Sequence, residues 1–255
     1  MSLPSLFETV KEAFSRSEQV LGPTAMARLR AARVLLVGVG GVGSWCAEAL
    51  VRTGLGHLVL VDDDRVVASN LNRQCPATVQ TLGEPKVEAM KERLLSINPA
   101  CEVVARCERF TVPSTSCLQL GQRTSSSVDL PPLAFDAVVD AIDSVDCKAE
   151  LILGATAAGV PIVSSMGAAL RKDPTKVRVT RFEKVEGDGL AKALRQRFKK
   201  LQRFPATKFN CVWSEERPCE AAQEFRGSLM QVTATFGMCL ASEVIDLLIT
   251  KGETR

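Results

Sequence analysis

Arg33-Val34-Leu35-Leu36-Val37-Gly38-Val39-Gly40-Gly41-Val42-Gly43-Ser44-Trp45 is the stretch that decides the fold. Residues 33–39 form an unbroken apolar run bounded by glycine, the pattern of a parallel strand buried on both faces. Helical spacing follows over 42–52, and Gly54 to Gly56 close it. Gly38, Gly40, Gly41 and Gly43 satisfy G-x-G-x-x-G at the strand-to-helix junction. Glycine there permits a tight turn and close backbone approach, while the free N–H groups of the helix N-terminus attract phosphate oxygens. Asp62 ends the next apolar run, His57–Val61, about 20 residues on, where a carboxylate reaches ribose hydroxyls. The site takes a nucleotide. The fingerprint by itself does not choose between NAD and ATP.

The same alternation continues outward. A helix is expected over 86–97, stopped by Asn98-Pro99, then strands over 102–105 and 135–140. A helix over 144–159 and a strand over 160–164 complete the set. Strands alternating with helices indicate an α/β fold: a Rossmann-like, doubly wound, mainly parallel sheet. Residues 123–132, rich in Ser, Thr and Pro, read as a surface loop. After Gly167 the texture changes to a strand over 176–181, a basic helix over 190–202, an irregular stretch over 203–227 and a long buried helix over 228–249. No repeat or linker divides the chain. The expectation is a single domain, 1–255: an N-terminal helical segment (1–30), a nucleotide-binding core (31–167) and a C-terminal helical and strand elaboration (168–255).

Composition narrows the class. A chain of 255 residues with 46% hydrophobic content can bury its own core without staples. Its net charge of +3 is too small to declare nucleic-acid binding by itself. Nine cysteines, an odd number at irregular spacing with no C-x-x-C pair, argue against disulfides, a zinc ribbon or a redox motif. They indicate a reducing, cytoplasmic compartment with thiols that pack as small hydrophobes. The amino terminus lacks the apolar core of a signal peptide, and no stable membrane span is expected. His57 opens a strand and reads as structural.

Residues beyond the glycine loop decide the nucleotide. Asn70, Arg73 and Gln74 form N-x-x-R-Q, and Lys86 opens the following helix. Arg73 and Lys86 brought to one crevice suit a triphosphate, which needs cations that a dinucleotide pyrophosphate does not. Asp143, just past the strand ending at Asp140, lies at the carboxyl edge of the sheet. A carboxylate there can hold Mg²⁺ together with phosphate oxygens. The reading is ATP.

These residues resemble a known group. G-V-G-G-V-G-S-W, V-D-D-D-x-V, S-N-L-N-R-Q, L-G-x-P-K and D-A-I-D-S resemble the ThiF/MoeB/HesA superfamily of adenylating, ubiquitin-activating-enzyme-like proteins. D-A-I-D-S-V-D-C-K, D-P-T-K-V-R-V-T and V-T-A-T-F-G resemble its tRNA threonylcarbamoyladenosine dehydratase branch. The resemblance implies that Gly38, Gly40, Gly41 and Gly43 hold phosphates and that Asp62 and Asp64 lie at the ribose. It implies that Asn70, Arg73, Gln74 and Lys86 contact the triphosphate, and that Asp143 coordinates Mg²⁺. Arg73, Lys86 and Asp143 are then the catalytic set. The implied reaction activates the carboxylate of threonylcarbamoyladenosine beside the tRNA anticodon, after which a tethered nitrogen closes a ring with loss of water. Implied partners are tRNA, a second copy of the chain and a cysteine desulfurase or sulfur-acceptor system; a monovalent cation is a further candidate ligand.

The chain also departs from its relatives. Those acting on sulfur-carrier proteins usually carry two C-x-x-C pairs for zinc and this chain has none, which argues against the first alternative, adenylation of such a carrier. The second alternative is an NAD-binding oxidoreductase or a catalytically silent nucleotide-binding module. Where the dehydratase branch can carry a cysteine before V-T-A-T-F-G, Ala221 or Ala222 stands here, leaving Cys211 and Cys219 as candidates without a histidine partner. Relatives often have Arg before the residue that is Gln19 here; this chain has Glu18 and, two residues earlier, Arg16. Lys192, Arg195, Arg197, Lys199, Lys200, Arg203 and Lys208 interleave with Phe198, Phe204 and Phe209. That pattern suits an anticodon loop or, equally, an amphipathic helix with its rings turned inward.

Overall fold

The computed structural model describes residues 12–110, 135–220 and 227–250. Helices α1 (Ser15–Leu21) and α2 (Pro23–Ala31) lead into β1 (Arg33–Val37), α3 (Gly43–Thr53) and β2 (His57–Val61). Then come α4 (Lys86–Ile97), β3 (Glu102–Arg106), β4 (Ala137–Asp140), α5 (Val145–Ala157) and β5 (Ile162–Ser165). The chain continues through β6 (Val177–Arg181), α6 (Gly189–Leu201), β7 (Asn210–Ser214) and α7 (Met230–Ile249). The seven strands make one sheet in the order β3-β2-β1-β4-β5-β7-β6, parallel throughout except for β6 against β7.

Period-2 alternation sorts the core. Val34, Leu36, Leu58, Leu60, Val139, Val163 and Val212 meet α2, α3, α4 and α7 on one face. Leu35, Val37, Val59, Val138 and Ile162 meet α5 and α6 on the other. Both faces are covered, which is why the strands read as continuous apolar runs. Truncating a core leucine such as Leu36 removes a side chain with no exposure, at a cost of about 2–5 kcal/mol.

Two differences from the expected elements have local causes. The first strand ends at Val37 because Gly38 adopts φ 94° and turns the chain out of the sheet. The stretch expected to be irregular contains β7, inserted between β5 and β6. Its apolar centre, Cys211-Val212-Trp213, is too short for periodicity to report. The serine-rich loop of 123–132 lies outside the described residues.

Helix α7 is long and apolar enough to cross a bilayer by length and composition. Here it packs through Val232, Phe236, Leu240, Ala241, Val244 and Leu248 into the sheet-facing core. Gly237 sets how closely it crosses α3: a Cβ there would stand 2.6 Å from the Val42 carbonyl oxygen. The V-T-A-T-F-G segment is therefore first a packing motif, and Thr233 within it reaches Gly41.

Candidate active site

The strand order reverses between β1 and β4, and the glycine loop and the Asp140–Asp143 turn both leave the sheet there. This is the position where open α/β sheets bind ligands. Gly38 donates its N–H to the Val61 carbonyl (2.9 Å), and Val39 donates to Asp62 Oδ2 (2.6 Å). Asp62 Oδ1 accepts from Asp64 N–H (2.9 Å), so one carboxylate oxygen fastens the end of β2 to the glycine loop and the other holds the turn that follows β2. Burial pushes the Asp62 carboxyl above its ordinary value, against the pull of Lys86 and two backbone donors.

The four glycines have different tasks. Cβ atoms at Gly38 and Gly43 would stand 2.6 Å from the Ala141 carbonyl oxygen and 1.8 Å from the Gly38 carbonyl oxygen. Those two make the turn possible. A Cβ on Gly40 would meet no protein atom within 4 Å, so Gly40 turns a bare backbone edge to open space. That space is open for a ligand to approach the backbone. At Gly41 a Cβ would touch Arg73 Cγ (3.3 Å) and Cδ (3.4 Å), which brings the N-x-x-R-Q arginine to the loop as its motif suggested.

The segment after β2 is tied down around α3. Trp45 Nε1 donates to the Arg73 carbonyl (2.9 Å), and Ser44 Oγ receives the Cys75 N–H (3.1 Å). Arg73 Nη1 donates to the Ser69 carbonyl and to Asn72 Oδ1. Asn70 builds the turn itself, its Oδ1 accepting from Val67 N–H (3.1 Å). Gln74 is buried with Oε1 unpartnered, a polar atom that a ligand donor can satisfy. Lys86 donates from Nζ to Asp64 Oδ2 at 2.5 Å. Asp62, Asp63 and Asp64 lie close enough to hold an ion by distance alone. However, Asp62 is occupied by backbone N–H groups and Asp64 by Lys86. Asp143 is exposed, two residues past Ala141, with no hydrogen bond or ion pair among the described residues.

Other candidates separate from this cluster. Cys211 is fully buried in β7 and burial drives its thiol upward, both of which weigh against a nucleophilic role. Cys219 is half-buried; Ala221 and Ala222 lie outside the described residues. His57 pairs with Glu102 (2.8 Å) where β2 begins, at the opposite edge from the loop. Arg16 is exposed on α1.

The basic segment divides. Phe198 and Phe209 are buried around Phe182, whose ring stacks on Phe209 with centroids 5.1 Å apart. Arg195, Arg197 and Arg203 are held by Phe182, Asp146 and Glu150. Phe204 remains 65% exposed, and Lys192, Lys199, Lys200 and Lys208 are exposed. Helix α6 starts at the carboxyl edge, where its cap Asp188 receives Gly167 N–H, and runs back to where β7 begins. Lys199, Lys200, Phe204 and Lys208 thus lie at the edge away from the glycine loop.

A model of the ThiF family matches residues 14–255. The chain belongs to the ThiF family. Among ThiF proteins, it is 32% identical to the tRNA threonylcarbamoyladenosine dehydratase of Haemophilus influenzae over 96% of each chain. It is similar in structure to Escherichia coli tRNA threonylcarbamoyladenosine dehydratase in complex with ATP, with TM-score 0.84, 32% identity and 99% of each chain covered. The complex of that E. coli protein with AMP gives TM-score 0.82 at 30% identity, covering 100% of both chains. This ThiF chain lies in the dehydratase branch. Sequence reading missed Asp140, Lys148 and Ser164 behind the site; the only signal was the spacing in D-A-I-D-S-V-D-C-K.

Proposed function

We propose that this chain is an ATP-dependent tRNA threonylcarbamoyladenosine dehydratase: it adenylates the threonylcarbamoyl carboxylate and promotes its cyclisation. The observation that carries the reading is the bare Gly40 edge, with Arg73 packed on the adjoining Gly41, at the switch point of a chain that matches such an enzyme over 96% of its length. A carboxylate is a poor electrophile at neutral pH, and adenylation turns one of its oxygens into part of a good leaving group. Ring closure then gains from a nucleophile already tethered to the same side chain.

The residues divide the work by position. Gly38 to Gly43 receive phosphates on backbone N–H groups, and Asn70 and Gln74 line the buried side. Arg73 and Lys86 offset charge that builds on the phosphates, and Asp62 and Asp64 lie at the ribose. Asp143 would hold Mg²⁺, to which one unengaged carboxylate plus phosphate oxygens is a suitable donor set. When bound, that ion would neutralise phosphate charge. The reading extends to a second copy of the chain, for which the exposed Val67, Leu71, Leu229 and Met230 offer an apolar surface. It also extends to a cysteine desulfurase or sulfur-acceptor partner, to a monovalent cation and to a cytoplasmic setting.

The deciding experiment incubates the purified protein with Mg²⁺, ATP and tRNA carrying the open modification, followed by nucleoside mass spectrometry. Conversion to a product lighter by one water, dependent on ATP, is expected. An unchanged nucleoside with active, folded protein overturns the reading.

A further inference from the structure

Behind the Asp140–Asp143 turn lies an ion pair with no solvent contact. Lys148 Nζ donates to Asp140 Oδ2 at 2.7 Å, and both side chains are 0% exposed. Ser164 Oγ donates to the same oxygen at 2.6 Å and lies 3.3 Å from Lys148 Nζ. Asp140 Oδ1 accepts the Ile142 N–H at 3.2 Å. Both carboxylate oxygens are therefore occupied, one from the turn and one from α5 and β5.

The pair joins the two ends of the segment that carries Asp143. Asp140 is the last residue of β4, in register with Val37 and Ser164. Lys148 stands in the first turn of α5, its N–H bonded to the Ser144 carbonyl at 2.9 Å. Between them, Ala141 donates its N–H to the Val37 carbonyl and presses against Gly38 and Gly43, so it is the floor of the glycine loop.

Stability alone is a weak reason for such a pair. Exchanging a buried ion pair for apolar groups of similar volume is often neutral or stabilising, because desolvation offsets the Coulombic gain. A buried, fully bonded carboxylate does, however, fix direction, and here it fixes a strand-to-helix turn at two points.

We propose that Lys148, with Ser164, is a positioning residue that acts through Asp140 to hold the turn bearing Asp143 against the floor of the nucleotide loop. The inference rests on the reading of Asp143 given under Proposed function. Neither Lys148 nor Ser164 touches the nucleotide; they set the angle at which Asp143 is presented.

The test is nucleotide-induced thermal stabilisation of the full chain, titrated with Mg²⁺ at fixed ATP. In the paired variant Asp140→Asn with Lys148→Met, the Mg²⁺ needed for half-maximal stabilisation should rise by about 10–100-fold, the range for losing an outer support of a metal ligand. A wild-type Mg²⁺ requirement in that folded variant overturns the proposal. Should the paired variant not fold, Ser164→Ala decides by the same titration: a raised requirement supports the role and a wild-type one overturns it. Asp143→Asn, run alongside, separates the two readings. An unchanged requirement there overturns the metal reading of Asp143. A raised one there, with a wild-type requirement in the Lys148 and Ser164 variants, overturns the positioning role alone.

Discussion

Lys86 and Asp64 face each other across the candidate site at 2.5 Å, yet their surroundings are opposite: the lysine side chain is 6% exposed and the aspartate 66%. Lys86 opens α4 and is held in place by burial, whereas Asp64 stands in solvent and can turn away. On the proposed role, a phosphate oxygen arriving at Lys86 would displace an exposed partner, whose ion pair is worth little in water.

Lys86→Met should consequently lower kcat about 10²–10³-fold, the usual loss for one charge-stabilising donor. Asp64→Asn should cost much less. Steady-state kinetics on both variants checks this, and near-wild-type turnover in Lys86→Met would rule out its proposed role.

Gly40 and Gly38 should part company. Gly40→Ala adds a methyl to open space, so the melting temperature without nucleotide should stay close to wild type while stabilisation by ATP disappears. Gly38→Ala meets a left-handed φ and the Ala141 carbonyl at 2.6 Å, so it should lose about 1 kcal/mol or more before any ligand is added. Thermal melts of both variants, with and without ATP and Mg²⁺, read out the split.

Acid should weaken the protein partly through Glu48. Burial alone would raise its carboxyl, but hydrogen bonds from Arg93, Cys75 and Arg52 outweigh it and hold the group at about 2. A depressed folded value means the unfolded chain binds more protons between the ordinary value of 4.5 and about 2. Stability from this group is therefore complete above pH 4.5 and falls as pH drops through that window. Urea titrations at stepped pH should show a shallower decline in Glu48→Gln than in wild type.

The thiols should sort by burial. Cys46, Cys75, Cys101 and Cys211 are buried and desolvation raises each, to about 12 at Cys75 and Cys101. Among the cysteines of the described residues, iodoacetamide at neutral pH should label exposed Cys107 first and leave those four untouched until unfolding, as peptide mass spectrometry can follow. Cys211→Ala should turn over near the wild-type rate; loss of turnover in a folded variant would restore Cys211 as a reactive group.

Arg171 and Asp188 form a second buried pair, at 2.9 Å, which ties the segment following β5 to the start of α6. Arg171→Met leaves the Asp188 charge uncompensated and should cost about 3–5 kcal/mol. Adding Asp188→Asn should recover much of that loss in denaturant melts.

What the sequence by itself determined is whatever depends on neighbours along the chain. Gly38 to Gly43 announced a strand–turn–helix, and the apolar runs at 33–39 and 57–61 announced buried parallel strands, because burial periodicity is a local property. Arg73, Lys86 and Asp143 pointed to ATP because residues at strand ends of an alternating fold share one edge. Tertiary structure alone decided what depends on residues far apart in the chain. It inserted β7 between β5 and β6, seated Gly237 against Val42, and joined Asp140 to Lys148 and Ser164 in a buried network. It also carried Lys199, Lys200 and Lys208 to the edge away from the glycine loop, since the thirteen-residue helix capped by Asp188 runs from the carboxyl edge back across the sheet. A charge pattern records which residues are basic; only the direction of the helix decides which face of the molecule they reach.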